Sequence, residues 1–204
     1  MKERPILFSG PMVRALLAGT KTQTRRIVKP QPAHSCHYEM NGSGNAALHL
    51  ADAGGPNQYV PPTPRSKDHR LPCPYGQPGD RLWVRETWRE DSPDDPESAI
   101  YKADAPANLP SGFKWKPSIF MPRWASRITL EITEVRVQRL RNISAEDVLA
   151  EGIVDRWSRG NETWAAEECD EARAEYMNLW ESINGPGSRN INPWVWAITF
   201  KRAP

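Results

Sequence analysis

Between Ile128 and Val137 the chain changes the side on which it places its apolar residues. Ile128, Leu130 and Ile132 alternate with Thr129, Glu131 and Thr133, the period-two pattern of a half-buried strand. Val135 and Val137 then fall on the opposite parity. A slip of one residue turns every side chain of a strand over. One apolar face therefore survives this switch only through a bulge or a sharp bend, as a small closed barrel requires. Residues 6–8, 82–88, 99–103 and 194–200 supply further short strands. Trp194 to Phe200 is apolar on both faces and so reads as central. Leu82, Val84 and Trp88 alternate with Arg81, Trp83, Arg85 and Thr87, and Glu86 interrupts that parity. Such an inward carboxylate either faces a site or pairs with Arg85 or another arginine. The fold expected is α+β: a small mixed barrel of about five to six strands with flanking helices.

Three helices fit between the strands. Pro11 suits a first helical position, Met12 and Leu16 share a face, and Gly19 is the stop. Ser144 caps a short helix carrying Val148, Leu149 and Ile153, in a variant of the capping box. From Glu162 to Ile183 the positions of Cys169, Ala172, Tyr176, Leu179, Trp180 and Ile183 keep helical spacing, and Asn184-Gly185-Pro186-Gly187 ends the run. The whole of 1–204 is expected to be one domain. It is interrupted by a long polar insertion at about 31–73, read as a lid or a partly ordered arm. Residues 89–97 and 105–117 read as loops, and Pro78-Gly79-Asp80 as a tight turn.

A net charge of +2 makes no global demand for nucleic acid. Charge is nevertheless polarised: residues 1–30 carry seven Lys and Arg against Glu3, while 162–181 carry seven acids against Arg173. That arrangement suits an anionic ligand at one end. No apolar run is long enough to cross a membrane, and Met1 to Pro5 does not lead into a signal core, so a cytoplasmic protein is expected. Cys36, Cys73 and Cys169 form a sparse, odd set that fits free thiols. His34, His37, His49 and His69 gather in the insertion near Cys36 and Cys73, but their spacing matches no familiar zinc module, so no metal is expected.

The chemistry concentrates in Gly19-Thr20-Lys21-Thr22-Gln23-Thr24-Arg25-Arg26, read as a basic turn after the first helix. Three hydroxyls beside three cations make a poor core and suit a nucleotide or another polar ligand. A solvated turn is the plainer reading of the same residues. Later, Arg123 and Arg127 flank Trp124 four residues apart, fit either to grip a phosphate or base or to form surface salt bridges.

Gly19, Lys21 and Arg26 resemble the signature of the ASCH family, a branch of the PUA-like superfamily. The usual glutamate of that signature is replaced here by Thr24. Lys21, Thr22, Thr24 and Arg26 together resemble the version carried by its small N4-acetylcytidine amidohydrolases. The turn at Gly79-Asp80 feeding an apolar strand, the segment Ser118 to Arg127, which looks like one in phage and prophage ASCH proteins, and the stretch Ile143 to Ile153 are similar as well. The resemblance covers roughly 5–30, 74–88 and 118–202 and implies a PUA-like barrel. It also implies catalysis by Lys21, Thr24 and Glu151, with Glu146 or Asp147 replacing Glu151 if the register slips. Arg25, Arg26, Thr22, Glu86, Arg123, Trp124 and Arg127 would contact a modified cytidine nucleoside or RNA, and no cofactor or metal would be needed. Two rival activities accompany the family: an RNA-binding module without catalysis, and a metal-assisted ribonuclease.

Overall fold

The computed structural model describes residues 1–31, 36–40, 46–50, 70–92, 95–106, 113–153 and 166–204. The chain runs β1 (Glu3–Leu7), α1 (Gly10–Leu17), β2 (Gln23–Ile27), β3 (Cys36–Met40), β4 (Ala46–Leu50) and β5 (Arg70–Pro72). It continues through β6 (Arg81–Arg85), β7 (Trp88–Ser92), β8 (Asp95–Tyr101), β9 (Thr129–Arg139), α2 (Ala145–Ala150), α3 (Ala166–Asn184) and β10 (Trp194–Arg202). The main sheet has the order β1-β6-β9-β10-β2, with β1 parallel to β6 and every other neighbour antiparallel. The architecture is thus mixed α+β. Among the described residues, no backbone ladder joins the edge strands β1 and β2.

The parity switch in β9 has the cause expected of it. Opposite β10, Thr199 pairs with Glu134 and Phe200 with Ile132, which leaves Thr133 as the extra residue of a bulge. That residue returns Val135 and Val137 to the face of Leu130 and Ile132, and all four lie in one buried cluster with Ile6, Phe8, Val84, Trp196 and Phe200. β10 sits between β9 and β2, buried on both faces as its composition requires. Its Val195 belongs to a second cluster, with Leu140, Ile143 and Val148 around α2 and Ala172, Tyr176 and Trp180 on α3. Truncating a fully buried residue such as Leu130 or Ile198 to Ala costs about 2–5 kcal/mol.

Three sequence expectations change. The supposed basic turn is largely strand: Gln23 to Ile27 pair with Thr199 to Val195. Cations are tolerated there because other elements cover β2 and supply partners for them. Of residues 89–97, expected to be a loop, 89–92 lie in β7 and 95–97 in β8, an antiparallel pair in which Trp88 is opposite Tyr101. The insertion contains regular structure, since β3, β4 and β5 form an antiparallel sheet of their own, with His37 opposite His49 in register. His34, His69 and residues 162–165 lie outside the described residues.

Local signals fare better. Thr20 N and Gly19 N donate to Ala15 O and Leu16 O, the Schellman closure of α1, with Gly19 at φ +77°. Ser144 Oγ accepts from Asp147 N at 3.1 Å as the N-cap of α2. Asp80 N donates to Gln77 O across a turn with Pro78 and the positive-φ Gly79 at its centre. The Asp80 carboxylate then accepts from Lys2 N at 2.7 Å and Arg4 at 3.0 Å, anchoring the start of β1.

Candidate active site

Three elements fix the backbone around Lys21. Lys21 N donates to Ala15 O in α1, Thr22 N to Ala150 O in α2, and Phe200 N in β10 to Thr22 O. The side chain, only 2 % exposed, then reaches the C-terminal end of α2. Its Nζ donates to Glu151 Oε2 at 2.8 Å and to Glu151 O at 2.7 Å. Glu151 is buried too. At the next residue, Gly152, φ is +85°, and a Cβ there would lie 3.0 Å from Lys21 Cβ and 3.1 Å from Ala15 Cβ. Glycine at 152 makes the close approach of α2 to Lys21 possible.

Glu151 shares its other oxygen with two donors: Arg25 Nη1 at 3.3 Å and the Tyr176 hydroxyl at 3.4 Å. Arg25 continues inward, donating to Gln23 Oε1 at 2.6 Å and to Asp147 Oδ2 at 2.6 Å. Asp147 also accepts from Gln23 at 3.0 Å and from Arg136 at 2.8 Å. The result is a largely buried network, Lys21–Glu151–Arg25–Asp147–Arg136, built from three segments of the chain.

Burial lowers the pKa of Lys21 below the ordinary lysine value. The Glu151 carboxylate opposes that shift, whereas Arg26 and Arg25 add to it. Burial, and then the Glu151 charge, push Tyr176 well above a normal phenol, so its hydroxyl stays a donor. Burial works against the charge of Asp147, but Arg25, Arg136 and Gln23 outweigh it and hold that carboxyl below its usual range.

A pocket of about 320 Å³ opens against this network. Thr24, Arg26, Glu151, Tyr176, Tyr75 and Trp180 are among its walls. Because β2 is an edge strand, residues from both of its faces reach the opening. Thr24 is buried opposite Ile198, and Arg26 bridges β2 to the end of β1 by donating Nη2 to Leu7 O at 2.6 Å. A neutral lysine amine has two N–H donors and one lone pair. Glu151 can accept both donors, which leaves the lone pair for a proton from a neighbouring group.

Compared with known proteins, the chain matches no family model, no curated protein and no solved structure. The site must therefore be weighed on its geometry.

The folded chain brings together Thr24, Arg25, Arg26 and Glu151 around one pocket and ties Lys21 to it through Glu151. Thr22 is exposed at the strand entrance. The other expected contacts lie elsewhere. Glu86 is 1 % exposed and takes a two-point ion pair from Arg127, at 2.9 and 3.0 Å, rather than from Arg85. Arg127 also pairs with Asp104 and stacks 3.9 Å from the Tyr101 ring centre. Burial raises the pKa of Glu86, and Arg127 only partly offsets that. Arg123 pairs with Glu3 at 3.0 Å. Trp124 packs edge-on against Trp88 and lines a separate groove with Phe120, Pro122, Glu90 and Lys116.

Sequence reasoning missed Tyr75, Tyr176 and Trp180 as site residues. It read Tyr176 and Trp180 only as a helical stripe, which they also are. It held Asp147 only as a substitute for Glu151, whereas the two act together, joined by Arg25. Their spacing of four on one short helix was the available signal. Among the described residues, no three His, Cys, Asp or Glu side chains gather as a metal-ligand set. Burial pushes the Cys73 thiol up to about 11, which leaves it a poor ligand and nucleophile at neutral pH.

Proposed function

We propose that the protein is an amidohydrolase that removes the acyl group from N4-acetylcytidine or a related N4-acylcytidine. The observation that carries this reading is the buried Lys21–Glu151 pair, whose Glu151 lines a pocket that Thr24 also lines. Burial that lowers the lysine pKa eases its deprotonation to a base, and Glu151 holds that amine in one orientation. Thr24 Oγ1 attacks the acyl carbon while Lys21 takes its proton. The tetrahedral intermediate collapses as the cytidine N4 leaves with that proton, passed on by Lys21 under the hold of Glu151. Water then hydrolyses the threonyl ester, releasing the carboxylate and regenerating Thr24. The amides of Thr20, Lys21 and Thr22 already donate to Ala15 O and Ala150 O and so do not serve the oxyanion.

The same reading takes the sheet as a PUA-like barrel and the protein as cytoplasmic. It draws on the β9 bulge and on Arg26, which brings the two edge strands β1 and β2 to one place. A second reading, an RNA-binding module without catalysis, is favoured by the exposed Phe120 and Trp124 beside Lys116.

The test follows the absorbance change of N4-acetylcytidine with wild type, Lys21→Ala, Thr24→Ala and Glu151→Ala. Turnover by the wild type and its loss in all three variants is expected. Absence of turnover on acetyl and longer acyl substrates sinks the proposal and leaves RNA binding in front.

A further inference from the structure

The charges around the pocket do not cancel. Lys21 and Arg25 are answered by Glu151 and Asp147, and Asp147 is shared with Arg136. Arg26 is left over. Its Nη2 is used by Leu7 O, its guanidinium lies 5.2 Å from the Phe8 ring centre, and its Nε is buried without a partner. Among the described residues no carboxylate forms an ion pair with it. Burial pulls its pKa down, the mark of a cation short of compensation. Lys29 stands exposed on the same pocket wall, and Tyr75 and Trp180 add aromatic surface to it.

These groups come in an order. Thr24 and Arg26 share one face of β2 about 7 Å apart, and Lys29 lies farther along the chain, beyond the strand's end. Acyl group, base and phosphate follow one another in the same sequence in an acylated nucleotide. A neutral nucleoside would leave Arg26 uncompensated, whereas a phosphate supplies the missing charge and accepts from several donors at once.

We propose that the pocket takes its substrate as a 5′-phosphorylated nucleoside, with the phosphate held by Arg26 and drawn in by Lys29. The assignment rests on the amidohydrolase reading for the identity of the base, but its charge argument stands apart from the chemistry at Thr24.

The experiment has two arms. Calorimetry compares cytidine 5′-monophosphate with cytidine, and the absorbance assay compares N4-acetylcytidine with its 5′-monophosphate, each with wild type, Arg26→Met and Lys29→Ala. For the wild type, the phosphorylated form should bind and turn over better by roughly tenfold to a hundredfold. That advantage should fall by about tenfold in Arg26→Met, fall less in Lys29→Ala, and weaken with added salt. Equal binding of cytidine and its monophosphate by the wild type overturns the assignment, whatever the turnover. A preference that survives both substitutions overturns it too, by placing the phosphate elsewhere. Preferential binding of the monophosphate with no turnover of either acylated form upholds the anion site and sinks the amidohydrolase reading alone. If Arg26→Met does not fold, the wild-type comparison and Lys29→Ala still decide.

Discussion

Two buried carboxylates in this molecule each meet an arginine, and they differ in what surrounds them. Glu86 takes both of its hydrogen bonds from Arg127, which also serves Asp104, so one cation faces two acids. Glu86 does not line the pocket that reaches the Lys21 network. Glu151 instead faces two cations, Lys21 and Arg25, and a pocket reaches it where Arg26 adds a third. At Glu86 burial raises the carboxyl's pKa, Arg127 works against that, and Asp104 adds a little to it. At Lys21 burial lowers the amine's pKa, Glu151 opposes that, and Arg26 and Arg25 add to it. The comparison teaches that two buried ion pairs can differ in charge balance and access: one cation is shared between two acids, whereas the other pair keeps surplus cation beside an opening.

The strongest test of this contrast is catalytic. Lys21→Ala, Thr24→Ala or Glu151→Ala should each lower kcat/KM by about a thousandfold or more, whereas Trp124→Ala should change it by less than about threefold. Comparable losses at both places would erase the distinction. Stability should show the opposite pattern at Glu86. Arg127→Met strands Glu86 in the interior and should cost about 3–5 kcal/mol in chemical denaturation, while adding Glu86→Gln to it should restore most of that loss.

A smaller effect is expected at Gly152. Gly152→Val forces a left-handed backbone onto a branched residue and drives its Cβ against Lys21, and about 1–3 kcal/mol of stability should go, with activity falling alongside. Unchanged activity would show that the approach of α2 does not set the lysine's position.

The pH profile sharpens the picture further. Lys21 titrates below 10.5 in the folded chain, so the unfolded chain binds the extra proton between the two values. The cost of burying its charge is therefore fully present below the folded value and is relieved as pH rises through that window. kcat/KM should climb with pH and reach its plateau before pH 10.5, and the stability deficit of wild type relative to Lys21→Met should shrink over the same range. An activity limb at an ordinary lysine pKa would remove the neutral base. Least of all, Ser144→Ala should cost about 1 kcal/mol through the lost cap of α2.

Much of the scaffold was legible in the chain. The switch of parity at Thr133, the double-sided burial of β10, the Ser144 cap and the Gly19 stop are all near-neighbour effects, in which spacing alone states the requirement. The motif residues Lys21, Thr24 and Arg26 could be singled out because hydroxyls and cations so closely interleaved make a poor core. Two readings turned on partners supplied from elsewhere in the fold. Residues 23–27 carry two arginines and look like a turn, but Asp147, Glu151 and Tyr176 meet Arg25, and Leu7 O and Phe8 meet Arg26, so both lie in a strand. Arg123, Trp124 and Arg127 match the look of a binding segment, but Glu3, Glu86 and Asp104 engage the two arginines.

What the sequence by itself determined is therefore the caps, the parity switch and the apolar stripes of the elements it announced, and the chemical types at one motif, because backbone periodicity and capping act over a few residues. Tertiary structure alone decided which acid meets which base. Lys21 and Glu151 stand 130 residues apart, and only the docking of α2 on α1, β2 and β10 puts a carboxylate 2.8 Å from the amine. The physical reason is that desolvation and charge pairing depend on distance through space, to which spacing along the chain is blind.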